Sequence, residues 1–594
     1  MPTRLIRLRF WRRLQKSQQQ VEGLGAQAEQ HIEQHLFKRF QRLVLVRRFV
    51  FTWVGLLLLL IGGLIAQTMS LSGYYQTVKT VPGGIYTEGV LGRFTNANPL
   101  YATSDADTSV SRLIFASLFS YDRNGSLAGE LASGYSVDKN GNSYTVRLKP
   151  NLTWQDGRPL TSADVLFTYQ LIQNPDTQSP LQSGWAGVTV TAPDSSTLVF
   201  KLPGILASFP HNLTNGIVPK HLLEKISPAN LRGADFNTIK PVGAGPFAWQ
   251  AIQVTGDGNP KTIKTQIGLV PFEKYQGGEP KIQKMTVKLF ASEEELIDAF
   301  ASNELTAAEG LTTMPKELKG KASVNQHNLP LRAANMVFFK TTSGVLANQA
   351  VRNALVQATD VPDITKRLGY PTRAVRQPFL AGQVGYDAQL VQPGFNLKVA
   401  RAALDADGWV VDKKGFRGKA GQPLLFTLSA ADTAENRLVG RQLQEQWQEL
   451  GVKLSVHYLS TTDFQGILTN HDYDSVLNGI SIGSDPDVFV YWHSSQADIR
   501  SANRLNLSEY KNPIADAALE AGRTRQDPAL RTIKYRPFLQ AWQKDSPALG
   551  LYQPRLLYLT NGAVSGLEDH PLNTPAGRFD NVHNWQIREA RVTN

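Results

Sequence analysis

Twenty-three consecutive residues without a charge, 49–71, follow directly on Arg47 and Arg48. Their centre, residues 54–66, reads VGLLLLLIGGLIA. At about 1.5 Å of rise per residue a helix of that length reaches roughly 34 Å, enough to cross the hydrocarbon of a bilayer. The flanks are unequal. Residues 1–48 hold 11 Lys and Arg against 3 acids, whereas the next charge after the apolar run is Lys79. That asymmetry predicts a cytoplasmic N-terminus and residues 72–594 outside the cell. A cleaved signal peptide has a short basic region and an apolar stretch of about 7–15 residues, so the longer arm and longer run predict an uncleaved, single-pass signal anchor in the cell membrane. Within the arm, Arg4, Arg7, Arg9, Arg12, Arg13 and Lys16 alternate with Leu5, Ile6, Leu8, Phe10, Trp11 and Leu14. This mixture suits an anionic inner leaflet, which makes the lipid bilayer an expected partner.

The net charge of +12 takes its meaning from this arm. Beyond residue 48 there are 51 basic and 47 acidic residues, so no basic face remains for a nucleic acid to track and no nucleic-acid partner is expected. The absence of cysteine excludes disulfides, thiolate metal sites, a cysteine nucleophile and thioether lipidation. His31 and His35 flank Glu33 in an order that is not HExxH, and the acids at Ser104–Asp107, Asp485 and Asp487 lack a full calcium loop. No metal and no cofactor are expected.

From Pro82 onward short strands and helices alternate. Residues 137–142 form a turn, and Tyr144, Val146 and Leu148 fall on one face with Arg147 and Lys149 on the other, which predicts a hairpin. Thr161-Ser162-Ala163-Asp164 reads as a capping box for a helix that Pro175 stops, and Ser292 opens another in the same way. Residues 424–429 are strand-like, 435–450 helical with Leu443, Trp447 and Leu450 on one side, and Val452, Leu454 and Val456 alternate after Gly451. This is a βαβ unit with a parallel pair, so the fold class is α/β. Gly479-Ile480-Ser481-Ile482-Gly483 matches a nucleophile elbow, and His493, His570 and His583 follow it. An extracellular serine hydrolase using Ser481 is therefore one alternative.

The order of short motifs along the outer part resembles another class. These are Asn98-Pro99-Leu100; Leu113-Ile114-Phe115; Glu130-Leu131-Ala132; Tyr144 through Lys149; Trp154-Gln155-Asp156-Gly157-Arg158-Pro159-Leu160-Thr161; and Val218-Pro219-Lys220-His221. Residues 241–247 (PVGAGPF), 350–355 (AVRNAL) with Asp360, Gly408-Trp409, Leu450-Gly451-Val452, Asp485-Pro486-Asp487 and Asn512-Pro513 continue the series. Together they resemble the extracellular solute-binding proteins of family 5, the peptide-binding type that serves ABC importers, over nearly all of 82–560.

The resemblance implies an α/β two-lobed periplasmic-binding-protein-like clamp with an inserted third subdomain; the apolar run at 49–71 sets one transmembrane helix before it. Its parts are a linker at 72–81, lobe I at 82–125, 240–333 and 555–594, an insertion at 126–239, and lobe II at 334–554. It implies binding rather than turnover: a peptide or similar small solute is held between lobes and passed to ABC permease subunits. By position in the family pattern, the ligand-binding residues are Phe94, Asn96, Asn98, Ile482, Asp485, Tyr491, Trp492 and Asn503, while Trp154, Asp156 and Gly157 are scaffold. The chain departs from the pattern twice. Ile482 stands where peptide binders carry an aspartate for the ligand's α-amino group, and an aliphatic residue cannot pair a buried ammonium. The usual lipidated cysteine is replaced by the anchor at 49–71. A second alternative is a solute sensor that signals through the N-terminal arm.

Overall fold

The computed structural model describes residues 47–256, 263–498, 500–501 and 504–593. The basic arm through residue 46, with His31 and His35, lies outside the described residues. Two compact units are present: residues through Lys79 with Glu589 onward, and Thr80–Arg588.

In the first unit a helix of 29 residues, Arg47–Tyr75, carries the apolar run. Its large side chains, from Phe49 and Trp53 through Leu59 and Ile65 to Met69, are exposed all round. A helix apolar on every side is suited to an apolar surrounding.

The second unit is built on two large sheets. The seven-stranded sheet runs, edge to edge, Val324–Pro330, Arg555–Asn561, Ala307–Glu309, Ile85–Leu91, Lys284–Phe290, Lys264–Pro271 and Phe247–Thr255. Ile85–Leu91 at its centre is parallel to both neighbours. The five-stranded sheet runs Lys453–Leu459, Leu425–Ala431, Ser475–Ser481, Ala333–Phe339 and Ala548–Tyr552. Its Leu425–Ala431 and Lys453–Leu459 pair in parallel across the helix Ala434–Glu449, so the βαβ unit is present. Trp447 on that helix is fully buried, and its indole N–H donates to Thr359 Oγ1 at 2.9 Å. A smaller four-stranded sheet spans 132–201 and contains the hairpin Ala132–Val137 with Ser143–Leu148.

The chain passes between the two large sheets at Leu331-Arg332 and again at Gln553-Pro554. These crossings are tied to each other: Leu331 N–H donates to Pro554 O at 2.9 Å and Gln553 Nε2 to Leu331 O at 2.8 Å. These two short extended crossings join sheets whose cores are separate.

The smaller sheet is stapled to the seven-stranded one. The helix Ser162–Gln173 starts at the expected capping box, with Thr161 Oγ1 accepting from Ala163 N and the Asp164 carboxylate from Thr161 N. Just before it, Gly157 turns at φ 86°, Trp154 is fully buried, and the Gln155 amide donates to Phe247 O and accepts from Gly243 N, both at 2.8 Å. This Trp-Gln-Asp-Gly segment is scaffold.

One feature of the seven-stranded core runs against the usual rule that charge stays outside. Tyr86, Glu88 and Val90 share the inward face of the central strand, and all three are fully buried. Glu88 accepts from Tyr558 Oη at 2.6 Å and from the Arg578 guanidinium at 3.0 and 3.1 Å. Glu309, on the neighbouring strand, lies with Oε2 at 4.0 Å from Arg578 and has no hydrogen-bond partner for that oxygen. Burial pushes the Glu309 carboxyl up to about 7, against the pull of Arg578. The sign follows from linkage. Below the unfolded value of 4.5 both states are protonated. Between there and about 7 the unfolded chain loses its proton and the folded chain keeps it, so stability falls as pH rises. The full effect is up to roughly 3 kcal/mol, at about 1.4 kcal/mol per pH unit. Glu309→Gln is therefore expected to flatten the decline in stability between pH 4.5 and 7 and to exceed the native chain in stability at pH 8, as read from urea midpoints across that range. Parallel profiles for the two proteins would show that Glu309 does not titrate there.

Candidate functional site

A cleft of about 780 Å³ opens between the segment after the four-stranded sheet and the loops that follow the five-stranded sheet. One wall comes from the region after the small sheet: Leu206, Ser208, His211 and Asn212, around the short 3-10 helix Phe209–Thr214. The other comes from the loop that leaves the strand Ser475–Ser481, with Ile482, Asp485 and Asp487, and from Val490 and Arg523.

Local geometry explains that loop. Where the strand ends, the N–H groups of Ile482 and Gly483 both donate to Arg332 O, at 2.9 and 3.0 Å, which ties the loop to the first crossing. Gly483 then turns at φ 76°. Asp485 receives a two-pronged bond from Arg531 on the helix Pro528–Asp545, at 2.6 and 2.5 Å. Arg531 is 3% exposed. Burial, the largest influence on its guanidinium, pulls the pKa down, but the hydrogen bonds and charge of Asp485 outweigh it and hold the group above its ordinary value. Asp487 accepts from Arg523 at 2.7 Å, and the same guanidinium lies 4.2 Å from the Phe489 ring centroid. Asp498 pairs with Arg500 at 2.6 Å.

Across the cleft, His211 stacks on Tyr121 with ring centroids 5.7 Å apart and its Nε2 is 3.9 Å from Asp485. Burial lowers the His211 pKa, with Arg531 and Arg332 adding to that and Asp485 opposing it. The walls touch directly: Ala207 N–H donates to Arg523 O at 2.9 Å, and Gln526 Nε2 to Tyr144 Oη at 2.8 Å.

Each carboxylate lining this cleft is thus paired with an arginine. What remains for a ligand is neutral chemistry: hydroxyl and amide groups such as Ser208, Asn212 and Gln496, main-chain edges, and apolar contact from Leu206, Ile482 and Val490. Such a set suits an extended chain with repeating donors and acceptors, whatever its side chains.

The residues singled out from the sequence divide. Ile482 and Asp485 line the cleft. Tyr491 stands behind the loop, half-buried, with its hydroxyl donating to Ser481 O at 2.8 Å. Trp492 requires correction: it is fully buried, stacked on Phe338 at 5.7 Å and edge-on to Trp542, so it is core and offers a ligand no surface. Asn98 is corrected in the same way. It is fully buried, donates to Asn237 Oδ1 at 3.0 Å and accepts from Leu100 N, which makes it a turn-former. Asn96 is 8% exposed and holds the same turn through Asn98 N. Phe94 packs on Trp249 at 6.0 Å and lines a separate pocket of about 290 Å³ against the seven-stranded sheet. Asn503 lies outside the described residues. The cleft residues that the sequence did not reveal, Ser208, His211, Asn212 and Arg523, sit in a short 3-10 segment and at a helix end, where no periodic pattern marks them.

The elbow reading of Ser481 does not survive. Ser481 is the last residue of an extended strand and pairs with Ala333. A loop rather than a helix follows it, and among the described residues no histidine hydrogen-bonds its hydroxyl. His493 instead stacks on Phe489 at 4.1 Å. Among the described residues no group of three or more His, Asp or Glu is arranged to hold a metal.

Comparison with known proteins places these observations. The model of the bacterial extracellular solute-binding proteins, family 5 (middle region), matches residues 126–501. The oligopeptide-binding protein AppA of Bacillus subtilis is 24% identical over 525 residues, covering 86% of this chain and 92% of that protein. The solved structure of AppA with a nonapeptide superposes with a TM-score of 0.69 at 23% identity, covering 86% of this chain and all of that one (100%). NikZ from Campylobacter jejuni, solved with Ni(L-His), gives a TM-score of 0.70 at 23% identity and covers 85% of this chain and 99% of its own.

Proposed function

The chain belongs to the bacterial extracellular solute-binding proteins of family 5, and from that premise we propose that it is the membrane-anchored capture protein of an ABC importer, holding peptides or similar small solutes between two lobes and delivering them to a permease. The observation that carries the reading is the cleft of about 780 Å³, walled from two sides that touch directly, whose carboxylates are each paired with an arginine. Supporting the division into lobes, the seven-stranded sheet draws only on 82–125, 240–333 and 555–594, and the five-stranded sheet on 334–554 apart from Ala333, the first residue of its strand Ala333–Phe339. The four-stranded sheet falls within 126–239 and is the inserted subdomain. Rotation about the paired crossings opens and closes the clamp.

The exposed apolar helix supports the anchor. Residues 48–70 are long and apolar enough to span, and the basic arm before them orients it. Tethering keeps the lobes beside their permease and raises effective concentration without changing intrinsic affinity.

Mass spectrometry of ligands that co-purify with the full chain in detergent tests the function. Intact peptides of mixed sequence are expected. Recovery of hydrolysis fragments alone, or of no small molecule from any preparation, would overturn the reading. The paired carboxylates add a sharper expectation. With Asp485, Asp487 and Asp498 committed to arginines and Ile482 aliphatic, nothing in the cleft is reserved for an α-ammonium. Acetylating the N-terminus of a bound peptide is therefore expected to change its Kd by less than about threefold, under 1 kcal/mol. A loss of a hundredfold or more, measured by calorimetry, would mean that a carboxylate is released for the ligand.

A further inference from the structure

A second cavity, of about 340 Å³, lies at the hinge. Its walls are the two crossings themselves, Pro330 and Arg332 on one side and Gln553, Pro554 and Arg555 on the other, closed by the segment 371–373. It shares no lining residue with the cleft. Three arginines line it, Arg332, Arg373 and Arg555, and no acid does. A cavity with that balance is electropositive, and its charges are not answered from within.

The hydrogen-bond accounting of the two inner arginines is also incomplete. The Arg555 guanidinium carbon lies 4.0 Å from the Tyr370 ring centroid. Its Nη2 reaches only Thr312 O, at 3.4 Å, while Nε and Nη1 are buried without a partner. Arg332 donates from Nη2 to Asn124 O at 3.0 Å, and its Nε is likewise buried and unpartnered. Burial pulls both guanidinium groups below their ordinary pKa, Tyr121 and Asp122 opposing this at Arg332, Tyr370 and Glu435 at Arg555. The nearest carboxylates are committed elsewhere. Glu435 accepts from Tyr370 Oη and Tyr552 Oη at 2.9 and 2.7 Å, and Asp122 from the N–H groups of Asn124 and Ser126, both at 2.9 Å.

Buried donors without acceptors cost free energy, and a guanidinium fork matches the geometry of a carboxylate or phosphate. We propose that the hinge cavity is a binding site for a small oxyanion, a carboxylate or a phosphate, held between Arg332 on one crossing and Arg555 on the other. Because the occupant touches both crossings, it biases the opening of the clamp by whatever difference in affinity it has for the two states. The anion site itself does not need the capture reading, whereas its effect on opening rests on it, and the titrations below test the site alone.

The test is calorimetry on the full chain in detergent, titrated with citrate and separately with inorganic phosphate, against sodium chloride of matched ionic strength. The expected result is a saturable one-site isotherm for at least one anion, weakened tenfold or more in both Arg332→Gln and Arg555→Gln, with Arg555→Lys in between. Citrate binding without phosphate assigns a carboxylate ligand, and the reverse a phosphate. Should the inner variants fail to fold, Arg373→Gln at the exposed rim still reports, with an expected loss of about threefold. The absence of a saturable isotherm with either anion, affinity unchanged in both inner variants, or stoichiometric displacement of the anion by a cleft-bound peptide would overturn the proposal.

Discussion

Arg578→Met is expected to destabilise the chain by about 3–5 kcal/mol, because it strips the partner from a carboxylate that has no access to water. Both side chains of the Arg578–Glu88 pair are 0% exposed. The guanidinium also donates to Pro575 O at 2.8 Å, stands 4.0 Å from Glu309 and lies 4.2 Å from the Phe579 ring centroid. Burial already raises the Glu88 carboxyl, and Arg578 is the largest influence holding it down. Removing that charge pushes Glu88 further up, so the variant keeps a proton there that the unfolded chain has released. Its stability must then fall more steeply than the native chain's as pH rises above the unfolded value of 4.5. Replacing both partners, as Glu88→Gln with Arg578→Met, is expected to recover most of the loss, since the stranded charge is gone. The urea midpoint of the two singles and the double across pH 5–8 decides it. A single variant within about 1 kcal/mol of the native chain would mean that water or Glu309 compensates.

That cluster shows where sequence reasoning stops. Strand period places Tyr86, Glu88 and Val90 on one face, but whether the face looks inward depends on partners at Ala307–Glu309 and Arg555–Asn561, far along the chain. What the chain does locally was legible: the hairpin at 132–148, the cap at Thr161 and the βαβ unit at 425–459 are each encoded within a few turns of sequence. What depends on two distant segments meeting was not.

The same division runs through the site. Position in the family pattern pointed to Ile482 and Asp485, and both line the cleft. Position did not give direction. Trp492 and Asn98 lie in the same neighbourhoods and point into the core, Trp492 because Phe338 and Trp542 fill its surroundings, Asn98 because Asn237 and Leu100 use its amide. The opposite wall, Ser208 to Asn212, has no periodicity to betray it. The family pattern flagged an aliphatic residue at 482, and the structure adds that the nearby acids are already paired.

Arg531→Met should therefore strike stability and ligand binding together. Asp485 is 14% exposed at the side chain and Arg531 4%, with both prongs of the fork at 2.5–2.6 Å. Losing the fork leaves Asp485 facing His211, a group that burial holds toward its neutral form and that stands 3.9 Å away, too far to take over as a hydrogen-bond donor. The expected cost is again about 3–5 kcal/mol. The loop 482–487 then keeps its two bonds to Arg332 O, the bond from Gln383 to Gly483 O and the Asp487–Arg523 pair, but loses the fork between them. Since that loop forms one wall of the cleft, a peptide's Kd is expected to rise at least tenfold, about 1.4 kcal/mol. Arg531→Lys separates charge from geometry. An ammonium neutralises Asp485 but cannot make both bonds in one plane, so stability should return in part while the peptide affinity stays several-fold weak. Equal recovery of both by lysine would show that charge alone positions the wall, and an Arg531→Met variant that binds peptide with native affinity would show that the wall does not depend on Asp485 at all.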